Sequence, residues 1–246
     1  MLARRVIPVL LHRGTQLVKG TGFNSWRSVG HLVQSIRVHQ SRNVDELFVL
    51  DVGNNVSPDI GLLREYASDC FMPLTVGGGV QTLDHIRDLL ANGADKVSIG
   101  TAAFRDPGLI EQAAKKFGSQ AIVVSIDVGI DGHVWIESGR VRTPHKPHLY
   151  ARQMEDFGAG EILLQSIPRD GTMNGYDHEL INRVSSVVSI PVVACGGCSG
   201  FDDMAAAYRA GAHAVAAGAL FQFTDATPHE AAEALAEEGF TMRRIM

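Results

Sequence analysis

Cysteine is scarce in this chain: three in 246 residues, Cys70, Cys195 and Cys198. That is too few for a disulfide framework, so stability has to come from a buried core and a reduced, cytoplasmic setting is expected. Long apolar runs are missing too. Arg4-Arg5 near the start introduces no extended apolar segment, so neither a secretory signal nor a membrane span is expected. Positive charge is not in excess. The 22 Lys and Arg against 27 Asp and Glu give a net charge of −5, which provides no electrostatic footprint for nucleic acid. No Ser/Pro-rich linker or low-complexity tract divides the chain, and a single domain over 1–246 is expected. What remains is 45% hydrophobic and 20% charged, a globular composition with material for a large core.

Two distant stretches share one ungapped register. PLTVGGGVQTLDHIRDLLANGADKVSIGTAA (73–103) and PVVACGGCSGFDDMAAAYRAGAHAVAAGALF (191–221) align at a constant spacing of 118 residues. The identical pairs are Pro73/Pro191, Gly78/Gly196, Gly79/Gly197, Asp84/Asp202, Gly93/Gly211, Ala94/Ala212, Val97/Val215 and Gly100/Gly218. Most are Gly or Pro, residues that dictate backbone shape. A period near half the chain length points to a duplicated half-domain, being too long for a solenoid.

Short apolar or β-branched runs alternate with amphipathic stretches. They predict strands over 6–11, 47–52, 73–76, 96–99, 122–127, 162–166, 191–194 and 214–217. Helices are predicted over 31–40, 59–68, 82–91, 107–117, 147–157, 178–187, 200–209 and 228–238. Eight βα units close naturally into an α/β (βα)8 barrel, here built from two duplicated half-barrels. Longer loops follow strands one and five, over 14–27 and 129–146, at the rim where this fold places its chemistry. The second contains a hairpin signal at Asp131-Gly132, and Trp26 and Trp135, one on each loop, are candidates for a lid.

Gly78-Gly79 and Gly196-Gly197 each follow a strand and precede a helix, where backbone amides can approach an anion. Gly100-Thr101 and Gly218-Ala219 follow the next strand of each repeat and complete two candidate cradles. Tight turns without a ligand would use the same glycines. Two related cradles on opposite sides of one rim predict a substrate phosphorylated at both ends. Cys195 and Cys198 have CxxC spacing, but no second pair accompanies them, and the repeat aligns them with a glycine turn. No metal or cofactor is expected. At the other end, Arg5, Glu46, Lys96 and Glu161 start strands one, two, four and six, so two cations and two anions would meet across the bottom mouth. Ordinary salt bridges would look the same.

The stretches LARRVIP (2–8), LVKGT (17–21), DEL (45–47), VGGG (76–79), GADKVSI (93–99), FGSQ (117–120), GAGEILL (158–164), RDGT (169–172) and GYD (175–177), in that order, resemble the cyclase subunit of imidazole glycerol phosphate synthase. The resemblance covers nearly the whole chain. It implies a (βα)8 lyase/cyclase acting in histidine biosynthesis on a bis-phosphorylated small molecule, with ammonia supplied by a partner glutaminase in a heterodimer. It gives Asp127, at the end of strand five, the role of catalytic acid/base; the lesser alternative is an Asp that caps a hairpin before Gly129. Lys19 would contact substrate phosphate from a mobile loop. Asp170 and Gly171, after strand six, would position substrate or simply form an Asp-Gly turn. Arg5, Glu46, Lys96 and Glu161 would gate an ammonia passage, Asp95 would meet the glutaminase, and Ser98 and Gln165 would place polar groups along the interior.

The chain also departs from that pattern. Where the family expects a second catalytic Asp, at the end of strand one, it has Leu11. Alternation puts Arg5, Ile7, Val9 and Leu11 on one face and turns His12 to the other. Pro168 stands for an Asp, Gly100 for an Asn and Ala219 for a Ser, while Gly53, Asn54 and Asn55 lack an expected Thr and Ser. PVLL (8–11) and DGTMNGYD (170–177) look closer to the glycosyl amidation-associated branch of surface-polysaccharide (lipopolysaccharide) biosynthesis. There a glutaminase and a cyclase-like barrel serve a separate sugar amidotransferase. Three functions stand open at this point: ammonia-accepting synthase diverged toward amidino-sugar formation, true histidine-pathway cyclase, and non-catalytic ammonia conduit.

Overall fold

The computed structural model describes residues 3–42, 44–53 and 56–243; Asn54 and Asn55 lie outside the described residues. The strands are β1 (Arg5–Arg13), β2 (Gln16–Thr21), β3 (Asn24–His31), β4 (Leu47–Asp51), β5 (Leu74–Gly77), β6 (Lys96–Ile99), β7 (Ile122–Val128), β8 (Val134–Ile136), β9 (Val141–Arg142), β10 (Glu161–Ser166), β11 (Val192–Cys195) and β12 (Ala214–Ala217). The helices are α1 (Leu32–Ser41), α2 (Ile60–Ala67), α3 (Leu83–Ala91), α4 (Thr101–Arg105), α5 (Pro107–Phe117), α6 (Pro147–Asp156), α7 (His178–Ser185), α8 (Phe201–Arg209), α9 (Ala219–Phe223) and α10 (Pro228–Glu237).

β1, β4, β5, β6, β7, β10, β11 and β12 pair in parallel in that order, and β12 returns to β1, closing an eight-stranded (βα)8 barrel. Alternation along each strand sorts its side chains. Ile7 and Val9 of β1 join Phe48, Val123, Leu163, Val193, Ala214 and Ala216 inside the barrel. Val6 and Leu10 face outward into the layer between sheet and helices. Helix starts are marked by side chains that accept otherwise unpaired amides: Asp59 from Leu62 N at 2.9 Å, Asp177 from Leu180 N at 3.0 Å. Among the described residues no helix is long and apolar enough to cross a membrane.

The duplicated register persists in the coordinates. β5–α3–β6–α4 and β11–α8–β12–α9 are built on aligned residues, including two five-residue helices, α4 and α9, that the sequence pattern did not predict. One full turn of helix is too short for an apolar periodicity to show. Two further differences concern the rim. The segment over 14–27 is no loop. It belongs to an antiparallel hairpin, β2–β3, whose first strand pairs with β1. β3 is exposed at nearly every position, so it carries no alternating signal. The segment over 129–146 holds β8 and β9, with β8 antiparallel to β7 through the turn at Asp131-Gly132.

Candidate active site

The C-terminal ends of the barrel strands surround a cavity of about 680 Å³. Asp127, Lys19, Gly78, Gly79, Gly100, Thr101, Asp170, Gly171, Gly196, Gly197, Gly218 and Ala219 all line it. Residues scattered from 19 to 219 therefore converge on one space. The cavity has two crossed axes, because strands four places apart in the ring of eight face each other.

One axis joins the glycine turns. Gly78 and Gly79, after β5, have φ of 101° and 68°; Gly196 and Gly197, after β11, have 93° and 100°. These are left-handed conformations that favour glycine. A side chain at Gly78 would fall 2.3 Å from the Asp51 carbonyl oxygen, and one at Gly196 would fall 2.7 Å from that of Ser166. In both turns the glycine is pressed against a neighbouring backbone carbonyl, so neither position has room for a side chain. Gly100 and Gly218 stand directly before α4 and α9. Over the first cradle, Thr101 Oγ1 accepts the Glu137 amide at 2.9 Å, and Glu137 pairs with Arg105, so the β8–β9 turn is tied down there.

At the second cradle the structure places Lys19 on β2 within a formed hairpin, not on a loose loop. Its ammonium is buried, donates to Val9 O at 3.0 Å, and lies 2.2 Å from where a side chain at Gly218 would begin. Burial pushes the Lys19 amine down to about 8, and the nearby Asp170 carboxylate resists that fall. The hairpin is docked further by Gly22 N on Asp170 O at 3.0 Å, and the Phe23 ring lies beside Gly139 and Ile167. The two tryptophans form no lid. Trp26 carries the Arg13 guanidinium on its ring, whereas Trp135 donates to Asp131 at 2.9 Å.

The other axis joins β1 to β7. Asp127, near the end of β7, accepts from Ser125 Oγ at 3.3 Å, and among the described residues no cation pairs with it. Burial raises its carboxyl to about 7, with the Asp170 charge adding to the shift. Such a group is poised to give or take a proton near neutrality. Gln165 Nε2 donates to Asp170 at 3.2 Å, and burial raises the Asp170 carboxyl against the pull of Lys19. Facing Asp127 across the cavity are Leu11 and Leu50, adjacent in register and both packed on the inner apolar cluster. His12 turns outward, its Nδ1 against Gly14 O at 2.9 Å, and burial lowers its pKa. The inward position near the end of β1 is thus apolar.

At the bottom, the four charged residues close a ring. Arg5 pairs with Glu46 and Glu161, and Lys96 pairs with Glu46 at 2.9 Å and Glu161 at 2.8 Å. Thr75 Oγ1 adds a bond to Glu46 at 2.9 Å. Asp95 is exposed beside the ring and caps the start of β5 by accepting Leu74 N at 2.8 Å. Ser98 and Gln165 are buried and reach the cavity from inside the barrel.

The chain matches the family described as Histidine biosynthesis protein over residues 5–227. It is 40% identical over 250 residues to the imidazole glycerol phosphate synthase subunit HisF of Chlorobaculum parvum, covering 99% of this chain and 100% of that one. The HisF of Endomicrobium trichonymphae is 41% identical over 252 residues, covering 100% and 97%. A Campylobacter jejuni protein with the provisional name imidazole glycerol phosphate synthase subunit hisF2 is 41% identical over 248 residues, covering both chains completely. The chain belongs to the HisF family.

Sequence reading missed several polar members of this HisF-type cavity. Asp51 lies at the end of β4 and accepts Gly53 N at 2.7 Å; a carboxylate at the C-terminal end of a barrel strand was the available signal. Arg13, Arg105 and Arg140 also line the mouth. They come from hairpins or short helices, where no periodicity announces which way a side chain points. Burial raises the thiols of Cys195 and Cys198, so neither is set up as a thiolate. Among the described residues no group of His, Cys, Asp or Glu is arranged to hold a metal ion.

Proposed function

We propose that this HisF-family barrel is the ammonia-accepting synthase subunit of a cytoplasmic glutamine amidotransferase complex, diverged toward amidino-sugar formation in surface-polysaccharide biosynthesis. The observation that carries the reading is a contrast along β1. Arg5, at its start, keeps its place in the complete ionic ring, while Leu11, near its end, sets an apolar group opposite Asp127. In this reading a glutaminase docks around Asp95, ammonia enters through the ring, and Asp127 takes a proton from the attacking amine and returns it to the departing group. Loss of one placed acid/base group typically costs about 10²–10⁴ in rate. A chemistry that needs two such groups would suffer by that factor here. A separate sugar amidotransferase would complete the product.

The true histidine-pathway cyclase is the second reading, favoured by the paired left-handed glycine turns of the two cradles and about 40% identity over the full length to HisF relatives. Purified chain supplied with ammonium salt and the bis-phosphorylated cyclase substrate separates the two: robust turnover eliminates the diverged reading. Asp127→Asn separates either enzyme from a bare conduit, which would keep its pathway function. With the glutaminase present, Lys96→Ala should leave the chain folded and uncouple glutamine hydrolysis from ammonia use. Unchanged coupling would make the ring purely structural.

A further inference from the structure

The β1 side of the mouth carries a cation to which none of the roles above is assigned. Arg13 ends β1, is exposed and lines the cavity. Its guanidinium carbon lies 5.2 Å from the centroid of the Trp26 ring, within cation–π range. Trp26 is itself seated on Gly20, where a side chain would begin 3.0 Å from the indole Cε3 and 2.3 Å from the Asn24 carbonyl oxygen. The residue beneath the indole has to be small. Among the described residues no carboxylate forms a salt bridge with Arg13, whereas Arg105 on the same rim is paired with Glu137. A guanidinium stacked on an indole keeps its in-plane N–H donors for an oxyanion and is already positioned, so little side-chain entropy is lost when one binds.

Its place in the cavity gives this arginine meaning. A ligand stretched between the glycine cradles occupies the axis from β5–β6 to β11–β12 and leaves the β1 side unanswered. Arg13 lies two residues beyond Leu11, on the axis that ends at Asp127. We propose that Arg13, braced on Trp26, is a third anion-binding point of the cavity. Its ligand is an anionic sugar whose carboxylate or phosphate meets Arg13, while an apolar face lies over Leu11 and Leu50. The sugar class rests on the amidation reading above; the binding point does not.

The test is a titration of the full-length chain carrying Trp135→Phe, so that Trp26 is the sole tryptophan reporter. Glucuronate, ribose 5-phosphate and neutral glucose are added separately. At least one anionic probe should change Trp26 emission saturably, weakening as ionic strength rises. Arg13→Gln should then weaken that binding at least fivefold, with Arg13→Lys intermediate and melting curves confirming that both variants fold. Response to glucuronate alone assigns a carboxylate ligand, and response to ribose 5-phosphate alone a phosphate. No saturable response to either anion, an equal response to glucose, or less than a fivefold loss in Arg13→Gln overturns the proposal. Should the chain prove to turn over the bis-phosphorylated cyclase substrate, the amidation reading falls, yet binding dependent on Arg13 would still stand.

Discussion

The two mouths of this barrel hold similar side chains and use them differently. At the bottom, Arg5, Lys96, Glu46 and Glu161 are paired with one another, every cation with both anions. At the top, Asp127 faces leucines instead of a cation, and burial holds it near pH 7. The same cost of removing charge from water is thus met by pairing at one end and by proton uptake at the other. A carboxylate left unpaired in a cavity is available for chemistry; one locked in a four-membered ring is available for structure and for gating. The difference separates, within one strand set, an end where a carboxyl titrates near neutrality from an end where every carboxylate of the ring is paired.

The largest expected effect is at the top, around Asp127. Asp127→Asn should lower ammonia-dependent product formation by about 10²–10⁴, roughly 3–5 kcal/mol of barrier, in steady-state assays with ammonium salt. A loss below tenfold would erase the contrast between the two mouths. The same variant has a stability signature. In the folded chain Asp127 holds its proton to about pH 7, whereas in the unfolded chain it ionises near pH 4. The native state is therefore penalised increasingly between those values and fully above pH 7. Asp127→Asn should melt at the same temperature as the parent near pH 3.5 and several degrees higher at pH 8. A uniform shift at both pH values would mean the carboxyl is not perturbed.

At the bottom, Arg5→Met leaves Glu46 and Glu161, with side chains 2% and 5% exposed, to share one ammonium. Breaking a buried pair from one side costs about 3–5 kcal/mol, so unfolding in urea should show a loss near the lower end of that range. A neutral result would make the ring dispensable for folding. Leu11→Asp sharpens the comparison from the other side by restoring a carboxylate opposite Asp127. It should raise turnover of the bis-phosphorylated cyclase substrate at least tenfold over a weak parent, at about 1–3 kcal/mol of stability for the buried group. No gain would assign the divergence to other rim positions.

Much of this was readable in the sequence. The eight barrel strands stood out because β-branched and small apolar residues fill short runs between helices with clear apolar stripes. The ring followed from charged residues at four strand starts, and the inward face of Leu11 from counting alternate residues along β1. What escaped lacks such a period. β3 is solvated on both faces, α4 and α9 span about one turn, and the pairing of Arg13 with Trp26 joins a strand end to a hairpin strand through space. Asp51 escaped because its strand, LFVLD, announces itself by apolar residues, and a single carboxylate within it carries no periodic signal.

The contact between the Lys19 ammonium and the bare α-carbon of Gly218 has a further consequence. The cation belongs to the cover and the glycine to the floor of the second cradle, so a swing of the β2–β3 hairpin cannot leave its charge behind. Raising the hairpin would withdraw the ammonium from Gly218 and from the Val9 carbonyl in the same movement.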